Sequence, residues 1–259
     1  MVHQGGSGQN DVVQVVNGTA ASQIVLVCEH ASNVIPPRFD GLGLPDDARE
    51  SHVAWDPGAL GVAQEMAMLL DAALVAGGVS RLVYDCNRPP DAADAMPAQS
   101  EVFAIPGNTN LSDADRADRV TNIYEPFRAT LAQTVAGMTG PVIVTVHSFT
   151  PIYHGTPRTV EVGILHDSDS RLADAMIATA SVHTELIVQR NEPYGPQHGV
   201  THTLLEHALP GGHPNVMLEV RNDLIATKAA QRKMAEMIAG WLREALVRPE
   251  MQGAMSCAS

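Results

Sequence analysis

Cysteine is scarce. Cys28, Cys86 and Cys257 are the three in 259 residues, an odd set without paired spacing. That suits a reducing compartment better than a disulfide scaffold. Basic residues are few as well, 16 Lys and Arg against 29 Asp and Glu, and the arginines are scattered singly. A net charge of −13 with no basic run argues against a surface built for nucleic acid or an anionic membrane. No apolar run approaches the ~20 residues that span a bilayer. The first ten residues are polar and glycine-rich, without the basic-then-apolar layout of a signal peptide. The expectation is a soluble cytoplasmic protein.

What is present is ordinary globular material, 45% apolar and 17% charged, in a chain long enough to bury a full core. Residues 1–10 and about 248–259 read as flexible tails around a single domain, residues 1–259. Strand and helix patterns alternate between them. An edge strand at 12–16 precedes a buried strand that ends at Glu29-His30. A short helical turn follows at 46–51. Asp56 then reads as the N-cap and Pro57 as the first residue of a helix carrying Leu60, Val62, Ala63, Met66, Leu69, Leu70 and Leu74 at helical spacing until Gly77-Gly78. A strand is predicted at 81–85, an irregular stretch at 87–110, and a helix from Ser112 to about Met138. Strands at 141–147, 159–166, 185–188 and 215–219 follow, with a helix at 171–180 and a loop-rich stretch at 191–213. The last element is an amphipathic helix at 223–247. This order predicts a three-layer α/β/α sandwich around a mostly parallel, mixed sheet.

Residues able to do chemistry gather where apolar runs stop. Ile24–Cys28 stops at Glu29-His30, 81–85 at Cys86-Asn87-Arg88, 141–146 at His147-Ser148, and 215–218 at Glu219. In open α/β sheets, ligands bind in the crevice at the carboxyl ends of the strands. Two imidazoles, a guanidinium and a carboxylate at one edge are the inventory of a zinc hydrolase that reads a substrate carboxylate. Each also has a purely structural explanation: a backbone-bonded His at a strand end, an ion pair of Arg88 with Asp85 or Asp91, a salt bridge of Glu219 with Arg221 or Arg88. A nucleophilic route is disfavoured. Cys28 sits inside an apolar run, Cys86 is the other thiol near a strand end, and Ser148 lacks a Gly-x-Ser-x-Gly elbow.

Several motifs line up in order: Glu29-His30-Ala31-Ser32-Asn33 before Pro36, His52-Val53-Ala54-Trp55-Asp56 before Gly58-Ala59, Asp85-Cys86-Asn87-Arg88-Pro89, His147-Ser148, and the run from Leu218 to Ile225. Through them, over roughly residues 23–226, the chain resembles the N-formylglutamate amidohydrolase family of zinc-dependent hydrolases. The resemblance implies a phosphorylase/hydrolase-like, zinc carboxypeptidase-like fold. It implies that His30 and His147 are metal ligands, that Asn87 and Arg88 clamp a substrate carboxylate, and that Glu219 is the base. The carboxypeptidase pattern expects a Glu three residues after the first His, where this chain has Asn33. Asp56 is therefore assigned as the remaining ligand, with His52 as its substitute. Arg158 is a second candidate for a substrate carboxylate, and His202 and His207 are candidates beside the scissile carbonyl, His207 as a substrate-binding residue.

The implied cofactor is Zn2+, iron, manganese or cobalt also being compatible with a mixed His/carboxylate site. The implied substrate is a small N-acyl amino acid, with N-formyl-L-glutamate, split to formate and glutamate, as the leading candidate. No nucleic acid or membrane partner is expected, and a homo-oligomeric state is left open. The alternatives are an amidase or peptidase for a larger substrate, admitted by the 87–110 loop, and a binding protein without turnover on the same fold.

Overall fold

The computed structural model describes residues 12–249 and 251. The tail readings for residues 1–10 and beyond 251, with Cys257, lie outside the described residues. Seven strands form the central sheet: β1 Val13–Val16, β2 Ile24–Cys28, β3 Ala73–Gly77, β4 Val142–Phe149, β5 Val162–Leu165, β6 Val188–Arg190 and β7 Asn215–Arg221. Their spatial order is β1-β3-β2-β4-β7-β5-β6. The pairs β3/β2, β2/β4, β4/β7 and β5/β6 are parallel, while β1/β3 and β7/β5 are antiparallel. This is the mixed, mostly parallel sheet expected from the alternating pattern.

The helices are α1 Asp46–Glu50, α2 Ala59–Leu70, α3 Asp113–Arg119, α4 Glu125–Ala136, α5 Arg171–His183, α6 His202–His207 and α7 Lys228–Leu246. Every residue of β2, Ile-Val-Leu-Val-Cys, is buried, as a strand covered on both faces must be. Leu26 and Cys28 pack with Val62 and Met66 of α2, Leu172 and Met176 of α5, and Ile238 and Leu242 of α7. Val25 and Val27 pack on the other face with Tyr84, Phe127 and Leu131 of α4, and Leu204 of α6. Alternation along one strand thus divides the core into two layers. Helix α7 starts where Thr227 accepts from the Ala230 N–H, five residues later than predicted, because Asn222–Ile225 is a 3-10 turn. Its stripe Met234, Ile238, Trp241, Leu242 is buried, and Trp241 donates its indole N–H to the Met176 carbonyl at 2.7 Å.

Two sequence expectations are corrected. Helix α2 stops at Leu70, with Asp71 left-handed at φ 48°, and the next residues form β3. Leu74 fitted the helical spacing, yet Ala73–Gly77 is buried throughout, and a short, wholly apolar strand is indistinguishable from buried helix by periodicity. The predicted strand at 81–85 is instead a series of turns. Its apolar residues Leu82, Val83 and Tyr84 are buried in the second core layer, so the hydrophobic signal was burial without a ladder. The predicted helix from Ser112 to Met138 is α3 and α4 joined by one π turn, Val120–Tyr124, opened by a Ser112/Asp115 capping box.

Close approach requires glycine beside Glu219. Gly163 of β5 lies opposite Glu219 of β7, and a Cβ there would stand 2.0 Å from the Glu192 carbonyl oxygen and 3.1 Å from the Glu219 Cβ. Any side chain would displace one of them.

Candidate active site

Strands β2, β4 and β7 are adjacent and parallel or joined through β4, so their carboxyl ends deliver His30, His147 and Glu219 to one place. Asp56 reaches it from the loop ahead of α2, where its N–H donates to the His30 carbonyl at 2.9 Å. Asp56 does not cap that helix. The N-cap is Gly58 at φ 85°, packed so closely that a Cβ would meet the Ile225 carbonyl oxygen at 2.6 Å. The Asp56 carboxylate is therefore free to turn inward, where its Oδ2 accepts from the Ser148 N–H at 3.2 Å.

Three donor atoms converge. His30 Nδ1 and His147 Nδ1 are 3.2 Å apart, and Asp56 Oδ2 lies 3.3 Å from the first and 3.0 Å from the second. Ligands held tetrahedrally at ~2.0–2.1 Å from zinc stand about 3.3–3.4 Å from one another. The triangle matches one face of such a site, and all three residues are buried. Each imidazole is backed by a carboxylate. His30 Nε2 donates to Asp85 Oδ1 at 2.7 Å, and His147 Nε2 lies 3.1 Å from Glu29 Oε2, an ion-pair distance without hydrogen-bond alignment. The Asp85 hydrogen bond favours a proton on His30 Nε2, the Glu29 charge favours one on His147 Nε2, and both Nδ1 atoms then face the triangle. Two imidazole nitrogens and a carboxylate oxygen facing one point need a positive charge between them, which protons on the imidazoles supply in the metal-free chain and a cation would supply in their place. The donor set therefore fits a divalent metal ion.

Electrostatics agree. Burial would raise the Asp56 carboxyl, but His30 and His147 outweigh it and hold it far below the usual carboxylate range. Burial likewise opposes ionisation of Asp85, which His30 and Arg81 keep well below that range. Arg81 bridges the two carboxylates, at 2.8 Å from Asp85 and 3.4 Å from Asp56. Glu219 behaves oppositely. It is 5% exposed, and its Oε2 has no hydrogen-bond partner among the described residues. Burial pushes its pKa up, His147 opposes this, and the Asp56 charge adds to it, giving about 7. A carboxylate poised near neutrality suits proton transfer at physiological pH.

These groups line one cavity of about 570 Å3, a size suited to a small ligand. The other sequence candidates divide. Asn87, Arg88, Arg158 and His52 also line it. His52 stays outside the triangle, its Nε2 2.8 Å from Glu101 Oε2. Asn33, absent from the triangle too, donates to the Arg49 carbonyl. Asn87 uses its amide on the backbone, donating to the Val200 carbonyl at 2.6 Å and accepting from the Thr203 N–H at 3.0 Å. His207, at the end of α6, is not part of the cavity lining, and burial lowers its pKa to about 4. His202 is likewise outside the lining, with Nε2 2.8 Å from the Tyr124 hydroxyl. Burial raises the Cys28 and Cys86 thiols well above their ordinary range, and Ser148 Oγ donates to the Pro57 carbonyl, so none is an activated nucleophile.

The sequence model of N-formylglutamate amidohydrolases matches residues 22–226. The chain belongs to that family. The match spans every donor of the triangle as well as Glu219, Arg88 and Arg158, so the cavity lies within the family's shared region. A solved gene product of Agrobacterium tumefaciens is similar at 51% identity and a TM-score of 0.89, over 91% of this chain and 94% of that one. The structure of N-formylglutamate amidohydrolase from Ralstonia eutropha is similar at 18% identity and a TM-score of 0.59, over 90% and 98%, a likeness of fold. No curated protein matches the chain. The family is one of amidohydrolases, which implies a small-molecule substrate. Among the described residues, no helix is long and apolar enough to cross a membrane.

Sequence reasoning missed Glu29 and Asp85 as supports of the two imidazoles. Their signal was present, since each adjoins a motif residue and is buried, but which His each would meet depends on the sheet. Asp85→Asn is expected to weaken zinc binding about 10- to 100-fold, the usual effect of losing such a support, measured by competition with a chromogenic chelator.

Proposed function

We propose that the protein is a metal-dependent amidohydrolase that cleaves a short N-acyl amino acid, with N-formyl-L-glutamate, giving formate and glutamate, as its leading substrate. The observation that carries this reading is the buried His30/Asp56/His147 triangle sharing a cavity with the partnerless carboxylate oxygen of Glu219. Those three residues would hold the cation. Zinc is favoured by two imidazoles and one carboxylate that leave a fourth position open. The division of labour parallels that of the zinc carboxypeptidases, with Asp56 in place of their Glu. When bound, zinc supplies Lewis acidity toward a carbonyl oxygen and makes water more acidic at neutral pH.

The chain's own residues do the rest. Glu219 takes a proton from the attacking water as its oxygen bonds to the acyl carbon. It returns that proton to the nitrogen as the C–N bond breaks, so the products are a carboxylic acid and a free amine. Glu29 and Asp85 hold the imidazole rings in place. A guanidinium in the cavity wall fixes a substrate carboxylate and hence the amide before attack. Buried free thiols at Cys28 and Cys86 accord with a reducing cytoplasm.

The test is hydrolysis of N-formyl-L-glutamate and a panel of N-acyl amino acids by purified protein, with metal content measured on the same preparation. About one zinc per chain and turnover of an N-formyl amino acid are expected. Stoichiometric metal without turnover of any member would remove the substrate class. No metal uptake after zinc is supplied would overturn the hydrolase reading.

A further inference from the structure

Three guanidinium groups line the cavity: Arg81, Arg88 and Arg158. They differ in how their charge is already used. Arg81 is paired with Asp85 and Asp56. Arg88 donates through Nε to Asp94 at 2.7 Å and through NH1 to the carbonyls of Asn87 and Gly199, at 3.0 and 2.9 Å. With Asn87 bonded to Val200 and Thr203, the pair acts as a strut that fastens residues 199–203 to the cavity wall.

Arg158 has no carboxylate partner among the described residues. It donates to the Thr150 carbonyl at 3.3 Å and to the Tyr194 hydroxyl at 3.0 Å. Its guanidinium carbon sits 4.5 Å from the Tyr153 ring centre, 4.9 Å from that of Tyr194 and 5.5 Å from that of Phe149. Aromatic faces attract and orient a guanidinium, but they leave its positive charge unneutralised and its remaining N–H groups unused. Such a group is preorganised for an anion.

The cage is built where an anchor would be needed. Phe149 ends β4, two residues beyond His147, so the donor triangle and the cage share one rigid strand. Of the other charged groups in the lining, Asp94 is paired with Arg88 and Glu101 with His52.

We propose that Arg158 binds the substrate carboxylate, while Asn87 and Arg88 are positioning residues that act through residues 199–203. This assignment rests on the amidohydrolase reading and adds the residue that selects for an acidic substrate. Charged hydrogen bonds of this kind are worth about a 10- to 100-fold preference for carboxylate over the neutral amide.

The test compares kcat and KM for N-formyl-L-glutamate and its two mono-amides, N-formyl-L-glutamine and N-formyl-L-isoglutamine. Wild type, Arg158→Gln, Arg158→Lys and Arg88→Gln are assayed after thermal unfolding has shown that each is folded. Wild type is expected to prefer a free carboxylate at one of the two positions. Arg158→Gln erases that preference through KM, with kcat within a few-fold, and Arg158→Lys restores part of it. Arg88→Gln lowers kcat/KM for all three substrates alike and keeps their ratio. A wild type indifferent to amidation, a ratio unchanged in Arg158→Gln, or one erased in Arg88→Gln would overturn the assignment. Absence of turnover on all three substrates would fault the amidohydrolase reading instead. The anchor is then judged by calorimetric binding of glutarate: at least tenfold weaker binding to Arg158→Gln supports it, and equal binding overturns it.

Discussion

Replacing Glu219 by glutamine is expected to lower kcat by about a hundred- to ten-thousand-fold, the range set by loss of a positioned general base. Folding should be unharmed. In the chain alone the carboxyl titrates at about 7, well above the ordinary Glu value of about 4.3. A folded-state pKa raised in this way contributes stability that is full below the unfolded value and lost as pH rises through about 7. Glutamine mimics the protonated form at all pH values, so the metal-free variant should be at least as stable as wild type above pH 7. For the loaded enzyme the cation's charge lowers the Glu219 pKa, which places the acid limb of kcat at or below pH 7. Activity should rise with pH through that limb, and the residual activity of Glu219→Gln should not. A pH–rate profile of both proteins, with their urea unfolding curves, checks the three statements. Full activity in the variant would remove Glu219 from the mechanism.

His147→Ala is expected to remove both metal and activity. It deletes one corner of the triangle and leaves Glu29, whose side chain is fully buried, without its cationic neighbour. Zinc at a thousandfold its dissociation constant stabilises a native site by about 4 kcal/mol. Wild type should therefore show a clear rise in Tm on zinc addition that chelator reverses, and His147→Ala should show neither. The wild-type rise should shrink as pH falls, beginning above the ordinary imidazole range of about 6.5, because against the effect of burial Asp85 and Asp56 raise the His30 pKa, and Glu29 and Asp56 raise that of His147, so protons compete for both rings. Scanning calorimetry with metal analysis is the measurement, and an undiminished zinc effect in His147→Ala would show that the cation binds elsewhere.

The donors were legible in the sequence for a physical reason. His30, His147 and Glu219 end or near the end of runs whose burial on both faces is written in their composition, and Asp56 lies in a motif next to a helix start. Their surroundings were not legible. Asn87 and Arg88 looked like a clamp because flanking prolines stiffen the backbone, yet three of their hydrogen bonds go to backbone groups 111 to 116 residues away. Arg158 looked weaker because one wall of its cage, Tyr194, comes from 36 residues away. β3 was absorbed into α2 because Leu74 satisfies both periods. In each case the local pattern marked a buried or cavity-lining residue, and packing between distant segments decided what it touches.

The spacing of the donors also bears on how the protein assembles. His30 and Asp56 are 26 residues apart, and His147 lies 91 and 117 residues from them. No two of them are within the reach of a single helical turn or hairpin, and the third arrives only when β4 docks between β2 and β7. A nascent or collapsed chain thus presents no site, and a cation cannot template the early steps as it does in a small zinc finger. A cation at this triangle would act late, as a lock on a sheet that has already closed. Bound metal should then slow the opening of the native protein far more than it hastens its formation.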